Sequence, residues 1–344
     1  MSLPLFETRT MIAALEQRLP ALSFLRDMFF SKEINVSTSK NVDIDIMKGK
    51  RRVAPYVNPR HEGKLVERIG YKAFSYVPPY VKPKMVTTAQ DFLNRNQGET
   101  IYSAGDGPMQ RAEKQLGKDL AEMEDQIIRV EEVQCSQLLQ TGKVIVRGEG
   151  VDDEIDFQQS SANLPVLSGT DLWSNAAAEP LEKLREWKRQ MLQLCGKRPD
   201  VCIMGSDAID AFLKQQNVEQ ALDTRRINLG NIDPIEEAAG VTLYGRIKDV
   251  GINIYTYDEW YVDPESGDEN PMIDPKKVIL ASTQARMAIN YGAIQDLKAG
   301  NAAVQRFAKS WEKEDPSVRF VMVQSAPLCS LHQPDGVICA TVLA

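Results

Sequence analysis

The sequence predicts an α+β protein in which an extended arm near the N-terminus is followed by one very long helix, an α/β domain and a closing set of strands. Three observations carry that expectation. Residues 48–84 hold five prolines and ten Lys or Arg among few apolar side chains. Residues 109–141 repeat apolar side chains every three or four positions, and residues 148–281 mix short apolar runs with amphipathic stretches.

Thr8 to Arg26 reads as one or two short helices, with Pro20 able to open the second. Val42 to Met47 alternates apolar and polar residues, as a half-buried strand does. From Lys48 to Thr88 the core pattern disappears. Pro55, Pro59, Pro78, Pro79 and Pro83 remove backbone donors, so this stretch suits edge strands and polyproline-like segments, and the expectation is a two-stranded arm turning near His61 to Gly70. Ordering about 40 residues costs on the order of 40–80 kcal/mol of conformational entropy. Offsetting that at about 25 cal/mol per Å² needs roughly 1,600–3,200 Å² of apolar burial, which the arm's own side chains do not supply. The arm is therefore expected either to move in the monomer or to be ordered by lying on another subunit.

Met109, Ala112, Leu116, Leu120, Met123, Ile127, Val130 and Leu138 define one apolar stripe over a helix that ends near Thr141-Gly142. At 1.5 Å per residue it spans roughly 50 Å. A coiled coil is the alternative, since the stripe lasts about four heptads. Beyond it, Leu181 to Leu194 reads as an amphipathic helix and Val201 to Met204 as a buried strand. Ser206-Asp207 reads as a cap before a helix over Ala208 to Gln216. Thr242 to Tyr257 and Lys277 to Thr283 read as strands around a turn-rich loop at 263–268. Phe320 to Gln324 and Val337 to Leu343 are strand-like runs separated by the Pro334-Asp335-Gly336 turn.

The composition excludes several classes of chemistry. The chain has 344 residues, 43% of them hydrophobic, enough for two or three domains with real cores. Five cysteines without CxxC spacing suit buried thiols in a reducing compartment, and no cationic leader or membrane span is visible, so a cytoplasmic protein is expected. Only His61 and His332 are present, which leaves little for histidine triads or zinc sites, and both read as solvated or interface residues. Consecutive acids at Asp152-Asp153-Glu154-Ile155-Asp156 point to alternating sides of an extended segment, so a solvated face suits them better than a metal site. No phosphate-binding glycine pattern or nucleophile elbow occurs, so no catalytic residue, cofactor or metal is expected and the chain does not read as an enzyme. The net charge of −7 is uneven: ten cations and two acids over 48–84 give +8, leaving −15 on the rest. Such a basic block seeks an anionic partner, either nucleic acid or the acidic body of another copy. Tyr56, Tyr71, Phe74, Tyr76 and Tyr80 among those cations keep a nucleic-acid-binding arm over 48–84 as the alternative reading.

Short motifs go further. In order along the chain these are YVKPK at 80–84, VEEVQ at 130–134 with a following Gly142-Lys143, LDTRR at 222–226, TQAR at 283–286, YGAIQD at 291–296, QSAPL at 324–328 and a terminal VLA. In sequence and spacing the chain resembles the lambda-like major capsid proteins of tailed phages, with the Hong Kong 97-type fold, most weakly between about 148 and 199. The resemblance implies an N-terminal arm at 1–47, an E-loop at 48–98, a peripheral domain at 99–147 and 283–334 built on a spine helix at 108–141, and an axial domain at 148–282 and 335–344. It implies self-assembly into hexamers and pentamers of an icosahedral shell around packaged double-stranded DNA, within a virion assembled in host cytoplasm. Other copies of the chain, a separate scaffolding protein, a decoration protein on the outer surface and a portal protein at one vertex are the implied partners, with no membrane. No motif carries covalent crosslinking onto numbered positions here.

Candidate inter-subunit residues are Tyr76, Tyr80, Val81, Lys82, Pro83 and Lys84 at the arm's return, and Arg60, Lys64 and Arg68 near its tip. Arg225 and Arg226 read equally as inter-subunit cations or as cover for a helix end, and Arg286 as an ion-pair partner either within the domain or between subunits.

Overall fold

A computed structural model describes residues 7–16, 23–48, 53–65, 70–88, 108–215, 218, 235–238, 240–247, 250–297, 303–315 and 317–344. Its organising element is a 34-residue helix from Pro108 to Thr141, about 51 Å long at 1.5 Å per residue. We call this α2; α1 is Thr8–Glu16, near the N-terminus. The first half of α2 buries Ala112, Leu116, Leu120, Met123 and Ile127, one stripe at three- and four-residue spacing, as the sequence predicts. That stripe packs on Met11 and Leu15 of α1 and on Ala308, Val321 and Val323. In the second half the stripe departs from the expectation. Val130 is only half-buried, while Glu131 and Glu132 take the inward positions.

The strands, in chain order, begin with β1 (Ile34–Val36), β2 (Val42–Met47), β3 (Tyr71–Tyr76) and β4 (Lys84–Thr88). β2 pairs antiparallel with β3, from Val42 opposite Tyr76 to Met47 opposite Tyr71. The expected arm that folds back on itself is therefore corrected. The returning strand pairs with the upstream strand β2, and the described residues 53–65 contain no strand. Pro55 and Pro59 give the reason, since neither can donate to a ladder. β4 forms the edge of a three-stranded sheet with β15 (Phe307–Lys313) and β16 (Val318–Gln324), in the order β15-β16-β4.

After α2 comes a hairpin of β5 (Lys143–Gly148) and β6 (Val151–Asp156). Gly142 ends the helix at φ +68°, its N–H bonded to the Leu138 carbonyl at 2.9 Å. Helix α3 (Pro180–Leu194), strand β7 (Val201–Met204) and helix α4 (Ser206–Lys214) follow. Ser206 is the first helical residue and not the cap; Gly205 holds the cap position without a side-chain bond. β8 (Ile235–Ala238), β9 (Val241–Ile247) and β10 (Ile252–Tyr257) come next, then the small hairpin of β11 (Trp260–Val262) and β12 (Glu269–Pro271). The chain closes with β13 (Lys277–Ala281), β14 (Met287–Tyr291), β15, β16, β17 (Pro327–Leu331) and β18 (Val337–Thr341).

A six-stranded sheet in the order β18-β13-β7-β10-β9-β8 is covered on both faces. Alternation along its strands decides which side each residue serves. Cys202, Met204, Val278, Leu280, Ile338 and Ala340 face Leu184, Trp187 and Met191 of α3 together with Phe212 of α4. Val201, Ile203, Ile279, Ala281, Val337 and Cys339 join a second core with Cys135, Leu138 and Leu139 of α2 and with Val42, Ile44 and Ile46 of β2. Burial on both faces explains why these strands read as continuous apolar runs. β14 lies between β1, parallel, and β17, antiparallel.

Candidate assembly site

Glu131 and Glu132 tie separate parts of the chain to α2. The Glu131 carboxylate is fully buried. It meets Arg306 Nη2 at 2.9 Å and Arg26 Nε at 3.2 Å, and accepts the Tyr291 hydroxyl at 2.9 Å. One carboxylate thus joins the N-terminal segment, the end of β14 and the segment leading into β15. The Arg306 guanidinium lies over the Tyr291 ring at 5.5 Å and donates to Ser325 Oγ at 2.9 Å. Glu132 faces the neighbouring turn, where its two oxygens accept the backbone N–H groups of Leu25 at 2.7 Å and Arg26 at 2.9 Å. These are donors that the short π-helical turn Arg26–Phe30 leaves without carbonyl partners. Burial outweighs those bonds and pushes the Glu132 carboxyl up to about 7. Gln134 completes the series by accepting the Cys329 N–H at 3.0 Å. Between Glu132 and the next turn of α2, the free thiols of Cys135 and Cys329 meet at 3.3 Å.

The arm's return docks on the same region. Pro78 is buried against Gly292, where a Cβ would come within 3.0 Å of the Pro78 Cγ, so glycine permits the close approach. The Tyr80 hydroxyl donates to the Ala293 carbonyl at 3.3 Å and accepts the Gln295 N–H at 3.0 Å. Val81 and Ser325 exchange backbone bonds at 2.8 and 3.0 Å. The Pro83 carbonyl accepts the Val323 N–H at 3.2 Å. Lys82 lies over the Tyr80 ring at 4.4 Å and Lys84 over Phe320 at 5.1 Å. Four of the sequence motifs thus converge around Glu131: VEEVQ, YGAIQD, QSAPL and YVKPK.

The remaining candidates separate. Tyr76, at the end of β3, donates to Asp153 at 2.9 Å on the β5–β6 hairpin; burial first, then that carboxylate, pushes its phenol up to about 12. Arg286 forms a two-pronged pair with Glu33 at 2.7 and 2.8 Å. Those hydrogen bonds hold the Glu33 carboxyl down at about 2 and fasten the segment before β1 to the turn before β14. Arg60 and Lys64 are exposed on the arm. Arg68, Arg225 and Arg226 lie outside the described residues.

One expectation needs correction at this level. His332 is buried: Nδ1 donates to the Asp45 carbonyl at 2.8 Å, while the His332 carbonyl accepts the Met47 N–H at 2.9 Å, so the residue anchors β2. Tyr80, Val81 and Pro83 are half-buried on their own chain, because Gly292 and Ser325 offer a complementary backbone there. The acids of 152–156 fan out along β6 as read; Lys143 meets Glu154 at 2.6 Å and Arg147 meets Asp152 at 3.3 Å. Sequence reasoning missed the Glu131–Glu132 pair. The available signal was two carboxylates placed inside an otherwise apolar helical stripe.

The arrangement is a brace: an arm root, a strand return and two sheets are fixed to one long helix, while the described residues 53–65 are exposed. The phage major capsid protein E family model matches residues 7–342. The chain is 29% identical over 338 residues to the major capsid protein of Escherichia phage lambda, covering 96% of this chain and 97% of that one. It is 28% identical over 347 residues to the major capsid protein of Enterobacteria phage P21, with the same coverages. Among solved structures, one described as a prophage capsid protein of E. coli CFT073 superposes with a TM-score of 0.73 at 20% identity, covering 98% of this chain and 99% of its own. A phage-related protein of Bordetella bronchiseptica superposes at 0.56 with 10% identity and 96% coverage of both chains. The fold is thus the α+β capsid fold of the Hong Kong 97 type, and the chain belongs to the phage major capsid protein E family.

Proposed function

We infer that many copies of this chain form hexamers and pentamers that close into the icosahedral shell of a tailed double-stranded DNA phage. In this reading residues 1–47 are an arm and 48–98 an E-loop. Residues 99–147 with 283–334 form a peripheral domain, and 148–282 with 335–344 an axial domain. The observation that carries it is the arm itself. Tyr56 and Leu65 are wholly exposed and Val53 nearly so, on a stretch without strand or helix that bears Arg60 and Lys64. Apolar side chains left in water on a segment with no core of its own suit a surface completed by a neighbour. The chain acts as a structural element, without catalysis of its own, and resides in the virion after assembly in host cytoplasm. A separate scaffolding protein directs closure, a portal protein occupies one vertex, a decoration protein covers the outer surface, and packaged DNA lies inside without sequence-specific contact.

Electron microscopy and sedimentation of Tyr56→Asp/Leu65→Asp, expressed beside the unaltered chain, test this reading. Soluble, folded, unassembled protein is expected from the variant. Normal shells would overturn the role of the arm. A variant that still assembles but loses a steeply salt-dependent affinity for DNA would favour the nucleic-acid-binding arm instead.

A further inference from the structure

The structure holds one surface whose character mirrors the arm. The β11–β12 hairpin pairs Trp260 with Pro271 and Val262 with Glu269, which puts these four on one face. Trp260 is 55% exposed there and Val262 59% exposed, while Tyr261, on the opposite face, packs toward the core. The stretch from Asp258 to Asn270 carries six acids (Asp258, Glu259, Asp263, Glu265, Asp268, Glu269) and no Lys or Arg. The loop between the strands is exposed from Pro264 to Glu269 and is held by turn bonds, with Gly267 N–H to the Asp263 carbonyl at 2.9 Å. An apolar strand face bordered by a one-signed loop has the make-up of an interface with an apolar centre and a charged rim.

We propose that the Trp260–Val262 face and acidic loop of the β11–β12 hairpin are the seat on which the arm of a second copy of this chain lies, around Val53, Tyr56, Arg60, Lys64 and Leu65. This rests on the reading that the arm serves a neighbour, and it names the surface that receives it. Both charge and shape select that occupant. The hairpin's −6 stretch opposes the +8 of residues 48–84, which steers encounter and fixes orientation. DNA is repelled by the same loop. Tyr56, Leu65 and Val53 supply the apolar side chains that Trp260 and Val262 lack in the monomer. Aromatic residues and arginine are the residue types enriched at such contacts. The contact joins two different patches, so it is head-to-tail and builds rings when its rotation closes.

Charge exchange tests the pairing in the full chain, under conditions in which the unaltered protein forms shells. Arg60→Glu/Lys64→Glu and Glu265→Lys/Asp268→Lys should each lower shell yield at least tenfold. Their combination should restore it to within about threefold. All four positions are exposed, so unassembled variants should keep the unaltered circular dichroism and thermal midpoint. If the arm variant is impaired while the hairpin variant assembles normally, or if the combination rescues nothing, the hairpin is not the seat and the arm reading survives. If the arm variant assembles normally, both readings fall. A second readout does not depend on yield. Tyr56→Cys/Val262→Cys, oxidised with copper phenanthroline in shells, should give covalent ladders of the chain on non-reducing gels, whereas neither single variant does. Absence of ladders in fully formed shells would overturn the contact.

Discussion

Replacing Glu131 by Gln removes the charge that two buried cations share. The side chains of Arg26 and Arg306 are 13% and 11% exposed, and Glu131 is 0% exposed. Breaking a buried pair by deleting one partner costs about 3–5 kcal/mol, because the remaining charge stays desolvated. Arg306 keeps the Ser325 hydroxyl and the Gln305 carbonyl as acceptors, which limits the loss on that side. About 3–5 kcal/mol lowers the folded-to-unfolded ratio roughly 10²- to 10⁴-fold. At a urea slope of about 3 kcal/mol per M, the midpoint of the unassembled chain should fall by about 1 to 1.7 M. Glu154→Gln is the control. Its pair with Lys143 is half-exposed, and its loss should leave the midpoint nearly unchanged. Adding Arg306→Met to Glu131→Gln should destabilise by less than the sum of the two single changes, since the second removes one of the two stranded cations. A Glu131→Gln midpoint within about 0.3 M of the unaltered protein would refute the claim that this carboxylate braces the fold.

Three further outcomes follow from the same geometry. The Glu132 carboxyl, raised to about 7 from its ordinary 4.5, contributes stability that is full below pH 4.5 and lost as pH rises through 7. Urea titrations between pH 4.5 and 8 should show a fall on the order of 3 kcal/mol in that window, and Glu132→Gln should flatten it; an unchanged slope would contradict the assignment. Gly142→Ala at φ +68° places a Cβ against the Cβ of Gln159, so a loss of about 1–3 kcal/mol is expected by chemical denaturation, and a neutral change would show that the helix end relaxes freely. Burial pushes the Cys202 and Cys339 thiols up to about 12, Cys135 is also raised, and only Cys195 is not fully buried among the five. Mass spectrometry after brief iodoacetamide treatment at pH 8 should therefore find at most one adduct per native chain and five in urea; two or more fast sites in the native chain would contradict the packing.

What the sequence revealed and what it withheld divide along sequence distance. Local periodicity was enough for α2, β2 and β7, because an apolar stripe or an alternation is a property of a few neighbouring residues. Among the described residues of 48–84 the strands are edge strands, as the prolines suggest, yet the prolines did not reveal the partner of the returning strand, which lies upstream in β2. β14, β15 and β17 went unread. β14 is buried along its whole length between β1, more than 250 residues away, and β17, and such pairings leave no local mark. The Glu131–Glu132 brace was hidden for a different reason. Charged residues normally mark the solvent face of a helix, and only their partners Arg26, Tyr291 and Arg306, far off in sequence, make burial tolerable. Four of the motifs that pointed to the family, VEEVQ, YGAIQD, QSAPL and YVKPK, meet in this contact set.

The path of the arm in an assembled shell is the most direct test of the account. An electron cryo-microscopy map of shells formed by this chain should show residues 53–65 of one copy lying along the hairpin at 258–271 of the next, with Tyr56 against Trp260 and Val262. An arm folded onto the body of its own chain, or one running to a surface without those acids, would contradict it.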